Sequence, residues 1–444
     1  MTIRFPQLRF PHPMLLLLGG VLVAALLTWV LPAGAYDRQT DQVSGREHVV
    51  PGTYHSVEPA PVGVAAAVMA VPRGIEAGAD VIVVILFVGG AFAMLEGTGA
   101  LGRLVAALVG ATRRPRGVVI LVSLLFATLG ALENMHEEII ALMPVLVVLS
   151  RGLGFGAVTA LGMSVGAAVV GSAFGPTNPF AAGVANRFAG LPALSGAGLQ
   201  LGVTITAVTA WIAWTLSQAR RDDVRPDVTL PSGERASRRD AVLLALLLIP
   251  FGPYVAGVLR FDWGFNELSA LFLVAAYAVG LTSGLGLRGT TVAYLKGMDS
   301  LLTAALFVGV ARAISLVLTD GRVIDTIVYQ LASRLEHLPG LLAAGLMVPV
   351  HALLHVPIPS NSGQAALTMP IMAPLADLLG FRREVTVLAY QSGGAMLDMI
   401  TPTNGAMLAM LIAAGVPYGR WLRFAVPGVL LMMAVGLVGM ALQL

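Results

Sequence analysis

Gly175-Pro176-Thr177-Asn178-Pro179-Phe180 interrupts a mostly apolar run over residues 156–190, and Thr401-Pro402-Thr403-Asn404-Gly405 interrupts another over 384–414. Proline removes a backbone donor and clashes with the preceding turn, so each motif stops a helix that the flanking residues favour. The flanks are long enough to lie in a bilayer, and unwound backbone at that depth is tolerated only where it is buried in protein or lines a cavity. The freed carbonyls, with the side chains of Thr177, Asn178, Thr403 and Asn404, suit a cation; the new helix N-termini suit an anion. A proline kink that only aids packing is the plainer reading of one such motif. Two at a fixed offset argue against it.

That offset is 226 residues, and it continues outward without a gap. Met143-Pro144 falls on Met369-Pro370, Leu149 on Leu375, Leu153-Gly154-Phe155 on Leu379-Gly380-Phe381, and Pro176-Thr177-Asn178 on Pro402-Thr403-Asn404. Each copy opens with a polar cluster inside an apolar stretch. The first is Glu133-Asn134-Met135-His136-Glu137-Glu138, within 117–150; the second is Ser360-Asn361-Ser362-Gly363-Gln364, within 341–377.

Composition sets the solvent. The 444 residues are 57% hydrophobic and 11% charged, against roughly 25% charged in a typical soluble domain, and mean hydropathy is +0.84. A soluble enzyme, a nucleic-acid binder and a disordered scaffold are excluded on this balance, and the net charge of +3 is not gathered in a basic patch. With no cysteine there is no disulfide, thiol nucleophile or Cys-ligated metal. Lys296, the sole lysine, has no phosphate-loop pattern around it, so no P-loop motor is present.

Charge then orients the chain. Arg103, Arg113, Arg114 and Arg116 crowd one loop; Arg220, Arg221, Arg225, Arg235, Arg238 and Arg239 crowd another. Arginine-rich loops are cytoplasmic by the positive-inside rule. Met14–Val30 is expected to be a retained outward span rather than a cleaved leader, which puts the N-terminus in the cytoplasm. With Arg116 and Arg151 at its two ends, 117–150 fits a re-entrant hairpin whose arms are short for full spans; a single crossing would leave the 218–240 loop on the wrong side. The expected fold is an all-α integral membrane protein with about nine transmembrane helices and two re-entrant hairpins. Residues 1–217 form the first repeat, with hairpin 117–150 and broken helix 156–190. Residues 218–240 form a cytoplasmic linker. Residues 241–444 form the second repeat, with hairpin 341–377 and broken helix 384–414. Spans 241–260, 266–285 and 298–316 separate the flanking units, an odd number that inverts one copy relative to the other. Inverted repeats with broken helices mark secondary transporters, with the binding site where the repeats meet.

Candidate substrate ligands are therefore Asn134, Glu137, Thr177, Asn178, Ser360, Asn361, Ser362, Thr403 and Asn404. Candidate ion-coupling groups are Glu133, His136, Glu138 and Asp398, because an ionisable group inside a membrane is functional by default. Sodium would sit near Asn178, Asn361 and Asn404. No cofactor and no resident metal are expected: Ile140 stands where HExxH would need its second histidine. His351 and His355 read as packing histidines on a hairpin arm, and Gly152-Leu153-Gly154-Phe155-Gly156 as a turn.

The stretch Ser360 to Asp377 resembles the second hairpin of the YfcC-type carriers, in the C4-dicarboxylate anaerobic carrier-like group of the ion transporter superfamily. Met399–Asn404, Thr177–Phe180 with Gly190-Leu191-Pro192, Thr28–Gly34 and Pro51–His55 fit the same pattern, so the resemblance runs from about residue 20 to 430. It implies a bacterial inner-membrane secondary carrier, homodimeric, moving its substrate by an elevator motion and coupled to Na+ or H+ or working by exchange. Superfamily relatives bind sodium and a carboxylate through Ser-Asn-Thr motifs at both hairpin tips. Ser360-Asn361-Ser362 matches that pattern; Glu133–Glu138 departs from it, which leaves proton coupling open. Substrates in the family divide between C4-dicarboxylates and basic amino acids, so a basic amino acid antiporter stands as the alternative and an ion channel as a more distant one. The implied partners are a small-molecule substrate and the lipid bilayer, with no nucleic acid.

Overall fold

The computed structural model describes residues 13–444 except 41–46, 101–102, 105–106, 108–113, 135–137, 193, 220–235 and 262. Helices dominate, as the composition requires. Among the described residues, seven helices are long and apolar enough to cross a membrane, with three shorter apolar helices beside them. In chain order the helices are α1 (Pro13–Val30), α2 (Val64–Ala77), α3 (Ala79–Gly97), α4 (Pro115–Glu133), α5 (Ile139–Gly152), α6 (Ala157–Phe174) and α7 (Val184–Phe188). There follow α8 (Ala197–Ala219), α9 (Arg238–Leu248), α10 (Phe251–Phe261), α11 (Phe265–Thr282), α12 (Gly286–Asp320) and α13 (Ile324–Glu336). The last are α14 (Gly340–His355), α15 (Asn361–Leu379), α16 (Arg383–Tyr390), α17 (Gly405–Ala413) and α18 (Tyr418–Ala441).

The polar stretch 33–58 is not wholly irregular. Gly34–Ala35 pairs antiparallel with His55–Ser56, and Arg38–Thr40 with Glu47–Val49. Arg38 ties this cap to α13 through a two-pronged ion pair with Asp325, at 2.9 and 3.1 Å, and Tyr54 stacks on Tyr329 at 4.1 Å between ring centres.

Two spans differ from expectation. Residues 241–260 are two helices, α9 and α10, divided at Ile249-Pro250, because the proline cannot continue the ladder of α9. The span expected at 298–316 is the 35-residue α12, about 52 Å long at 1.5 Å per residue. Its first turns carry Arg288, Lys296 and Asp299. Charge marks where an apolar segment ends, not where a helix ends, and a helix longer than the roughly 30 Å hydrocarbon layer projects from it. The first arm of the 117–150 unit also reaches span length over Pro115–Leu132, so length alone does not argue that it turns back.

Two sets of contacts stand out in the packing. Helix α12 lies against α1, α2, α3, α11 and α17; α4 lies against α6, and α8 against α6 and α18. Lipid supplies no hydrophobic drive between helices, so close contact depends on small residues. A side chain on Gly130 or Gly171 would run into the backbone of Ala168 or Ala127, so glycine at these two positions sets the α4–α6 spacing. At one polar end, Arg103 grips Asp240 in the first turn of α9 at 2.7 and 3.1 Å. That guanidinium, with Ser237, holds the Asp240 carboxyl well below the usual carboxylate range.

The 226-residue offset reappears in the local structure. Ala157 and Arg383 start helices, Pro179 and Gly405 start the segments after the breaks, and Pro144 and Pro370 lie inside α5 and α15. Gly154 and Gly380 are both left-handed, with φ of +84° and +80°. Each broken segment also contains a π-helical turn, Gly162–Gly166 and Gln391–Ala395.

Candidate functional site

Both breaks are stabilised by asparagine. Asn404 caps α17, its Oδ1 accepting from the Met407 N–H at 3.0 Å. Asn178 caps the segment after the first break, its Oδ1 accepting from the N–H groups of Phe180 (2.9 Å) and Ala181 (2.7 Å). These caps satisfy donors that a helix start leaves without partners. Carbonyls released by the second break are taken up by aromatic residues of α18. Trp421 Nε1 donates to Met399 O and the Tyr418 hydroxyl to Ile400 O, each at 2.6 Å. Thr403 Oγ1 donates to Val356 O at 2.6 Å and lies 3.0 Å from Thr401 Oγ1. The break is thereby tied to the end of α14.

Because their Oδ1 atoms serve as caps, the two asparagines point their amide nitrogens inward. Asn404 Nδ2 donates to Asp398 Oδ1 at 2.8 Å and to the Asp398 carbonyl at 3.2 Å. Asn361 Nδ2 donates to Asp398 Oδ2 at 3.1 Å. His355, fully buried, brings Nε2 within 2.8 Å of Asp398 Oδ1. Three side chains from three segments thus converge on one carboxylate.

The protons of this cluster follow from donor counting. Gln364 Nε2 donates to the His351 carbonyl at 2.8 Å, which turns Gln364 Oε1 toward His355 Nδ1 at 2.7 Å. An amide oxygen only accepts, so Nδ1 carries a hydrogen. Nε2 faces a carboxylate oxygen, so a second proton lies between His355 and Asp398. With Asn361 and Asn404 also donating to the carboxylate, His355 and Asp398 share that proton within a cage of neutral amides. Tyr390 donates to the Asn361 carbonyl at 2.6 Å. Asn361 is 7% exposed, and its Oδ1 has no hydrogen-bond partner among the described residues.

The equivalent centre in the first half is built, among the described residues, from neutral side chains. Ser172, at the position corresponding to Asp398, donates to Asn134 Oδ1. Asn178 Nδ2 donates to Gly130 O at 2.8 Å, to Ser172 Oγ at 3.1 Å and to Asn134 Oδ1 at 3.4 Å. Asn134 ends α4 in the left-handed region, φ 56°, a conformation asparagine accepts more readily than other side chains. Thr177 Oγ1 donates to Ala131 O at 3.1 Å.

A cavity of about 820 Å³ opens between these parts. Its polar wall includes Asn134, Glu138, Ser360, Asn361, Ser362, Asp398 and Asn404, and Arg312 of α12. Phe180, Phe251, Tyr254 and Trp263 supply an aromatic wall. Seven of the candidates taken from sequence therefore face one space. Thr177, Asn178 and Thr403 do not line it; their polar atoms bond to neighbouring backbone and side chains. His136 and Glu137 lie outside the described residues, as does the Glu133 side chain. For a sodium ion, the free Asn361 Oδ1 is a fitting ligand, whereas the Asn178 and Asn404 oxygens are already committed as caps.

The sequence profile described as "C4-dicarboxylate anaerobic carrier" matches residues 10–444. The chain belongs to the C4-dicarboxylate anaerobic carrier family. An uncharacterized protein of Haemophilus influenzae is 28% identical over 497 aligned positions, covering 98% of this chain and 97% of that protein. The Escherichia coli protein described as "Putative basic amino acid antiporter YfcC" is 29% identical over 468 positions, covering 93% and 92%. Among solved structures, the Alcanivorax borkumensis YdaH transporter aligns over 97% of this chain and 98% of its own at 17% identity, TM-score 0.44. Neisseria gonorrhoeae MtrF aligns over 98% and 95% at 16% identity, TM-score 0.42. Family membership and the apolar helices support a multi-pass membrane carrier.

Three residues of this carrier escaped the sequence reading. His355 is not merely packed; its Nε2 meets the Asp398 carboxylate. His351 lends its carbonyl to orient Gln364. Arg312 was passed over inside an apolar helix. The signal for all three was present, since a lone Arg within 301–318 and an i, i+4 histidine pair on an apolar arm are intramembrane ionisable groups.

Proposed function

We propose that the chain is a secondary active transporter that moves a small carboxylate-bearing metabolite, a C4-dicarboxylate or an amino acid, across the bacterial inner membrane. In this reading the two halves are inverted repeats, the helix pairs 117–150 and 341–377 are re-entrant hairpins, and a homodimer works by an elevator motion. Support comes from element boundaries and a left-handed glycine that recur at the offset of the sequence motifs, and from the broken helices themselves.

The observation that carries the reading is the His355–Asp398 pair, whose Asp398 lies on the cavity wall with His355 buried behind it and Asn361 and Asn404 holding the carboxylate. It is a proton-holding group placed against the space a substrate would occupy, and its loading would change the charge that the substrate meets. Coupling to protons, with the ion pair reset in each cycle, is the mechanism assigned here; Asn361 Oδ1 supplies one ligand for sodium if sodium is the coupled ion. A basic amino acid antiporter is the second reading. It is favoured by two acids, Glu138 and Asp398, lining one cavity and by the description of the Escherichia coli relative.

Counterflow in proteoliposomes tests the class. Vesicles loaded with a mixed pool of C4-dicarboxylates and amino acids are offered labelled succinate, aspartate, arginine or lysine in turn. Accumulation of succinate or aspartate is the expected result for the first reading, and of arginine or lysine for the second. Folded protein that exchanges none of the four would refute both.

A further inference from the structure

We propose that Arg312 is the anchor for the substrate's carboxylate. This rests on the transport reading above, and it names a residue outside both repeat motifs.

Arg312 is the one charged residue between Leu301 and Leu318 of α12. It is exposed, and it lines the cavity that Ser360, Asn361, Ser362 and Asp398 also line. Among the described residues it makes no hydrogen bond and no ion pair. A guanidinium has five N–H donors and stays charged at any physiological pH. At membrane depth such a group is retained only where it meets an anion or water.

The acids that line the cavity among the described residues are already engaged. Asp398 accepts from His355, Asn361 and Asn404. Glu138, the other acid on the cavity wall, also has a partner. Arg312 is therefore the cation on the cavity wall that no described residue pairs.

The chemistry that completes it is a planar oxyanion. A carboxylate matches the guanidinium fork with two parallel hydrogen bonds, and such charge-assisted pairs are among the strongest that proteins make. The Ser360–Ser362 tip lies on the same wall, with its unpaired Asn361 Oδ1. A substrate held at one end by Arg312 and at the other by this tip would bridge α12 and α15. A lipid phosphate offers a similar oxyanion, and the test separates the two.

The experiment uses the full chain in proteoliposomes and competition against counterflow. The unlabelled competitors are matched pairs: arginine and agmatine, lysine and cadaverine, succinate and succinamate. Each second member lacks one carboxylate. Wild type should prefer the acid in at least one pair by about tenfold or more, the scale of a charge-assisted hydrogen bond. Arg312→Gln should weaken the acid by about tenfold or more and leave its partner unchanged, so that the preference collapses. Retained binding of the partner shows that the variant is folded. Arg312→Lys keeps the charge without the fork and should fall between; it carries the test if the glutamine variant does not fold. A preserved acid preference in Arg312→Gln, or in Arg312→Lys where that variant stands alone, would overturn the anchor, including the case where only stability in anionic lipid changes. A wild type that prefers no acid in any pair would refute the carboxylate reading itself.

Discussion

The two broken-helix centres share a frame and differ in charge. In the first, Asn178, Ser172 and Asn134 close a neutral triangle whose hydrogen bonds are spent on one another and on Gly130. In the second, Asn404 and Asp398 keep the positions of Asn178 and Ser172, while Asn361 and His355 complete a charged cluster open to the cavity. Serine against aspartate at one position, and Leu129 against His355 at another, separate a neutral hydrogen-bonded centre from a group that can hold a proton. The frame is set by the caps and prolines that both halves need; the chemistry is set by which polar side chain sits one and a half turns before the capping asparagine.

The strongest way to break this contrast is to place the charge in the wrong half. Ser172→Asp would bury a carboxylate against the Asn134 oxygen with no cation beside it among the described residues. An uncompensated buried charge costs about 3–5 kcal/mol. The melting temperature of the purified variant should fall sharply, or folded protein should not be recovered. Wild-type stability would mean that the first centre accepts charge and the asymmetry is not built in.

A smaller effect sharpens the contrast. Asn178→Ala and Asn404→Ala each remove a helix cap, worth about 1 kcal/mol, and should lower thermal stability by similar amounts. They should differ in transport. Asn404→Ala also strips a donor from Asp398 and should shift the pH profile of uptake, whereas Asn178→Ala should leave its shape unchanged. Equal shifts in both profiles would dissolve the distinction between the centres.

Much of this was legible in the chain. Pro176, Pro179 and Pro402 announce the breaks because few residues disrupt a helix so locally, and three-residue matches at one offset exposed the repeat frame despite a monotonous apolar background. The segments 133–138 and 360–364 stood out as polar clusters between apolar arms. What the sequence did not disclose depends on partners far apart in the chain. The role of His355 follows from Gln364 and Asp398, and that of Arg312 from a cavity wall assembled from both halves. The division at Pro250 was visible as a proline but was subordinated to the need for a span, and the length of α12 was hidden because charge at Lys296 and Asp299 resembles an end.

The central claim is that the His355–Asp398 pair carries the coupled proton. The direct measurement is substrate uptake driven by an imposed pH gradient, wild type against Asp398→Asn, with counterflow of the same substrate measured alongside. The account predicts that the variant loses gradient-driven accumulation while still exchanging substrate at equal pH. Accumulation in Asp398→Asn that follows the pH gradient as in wild type would contradict it.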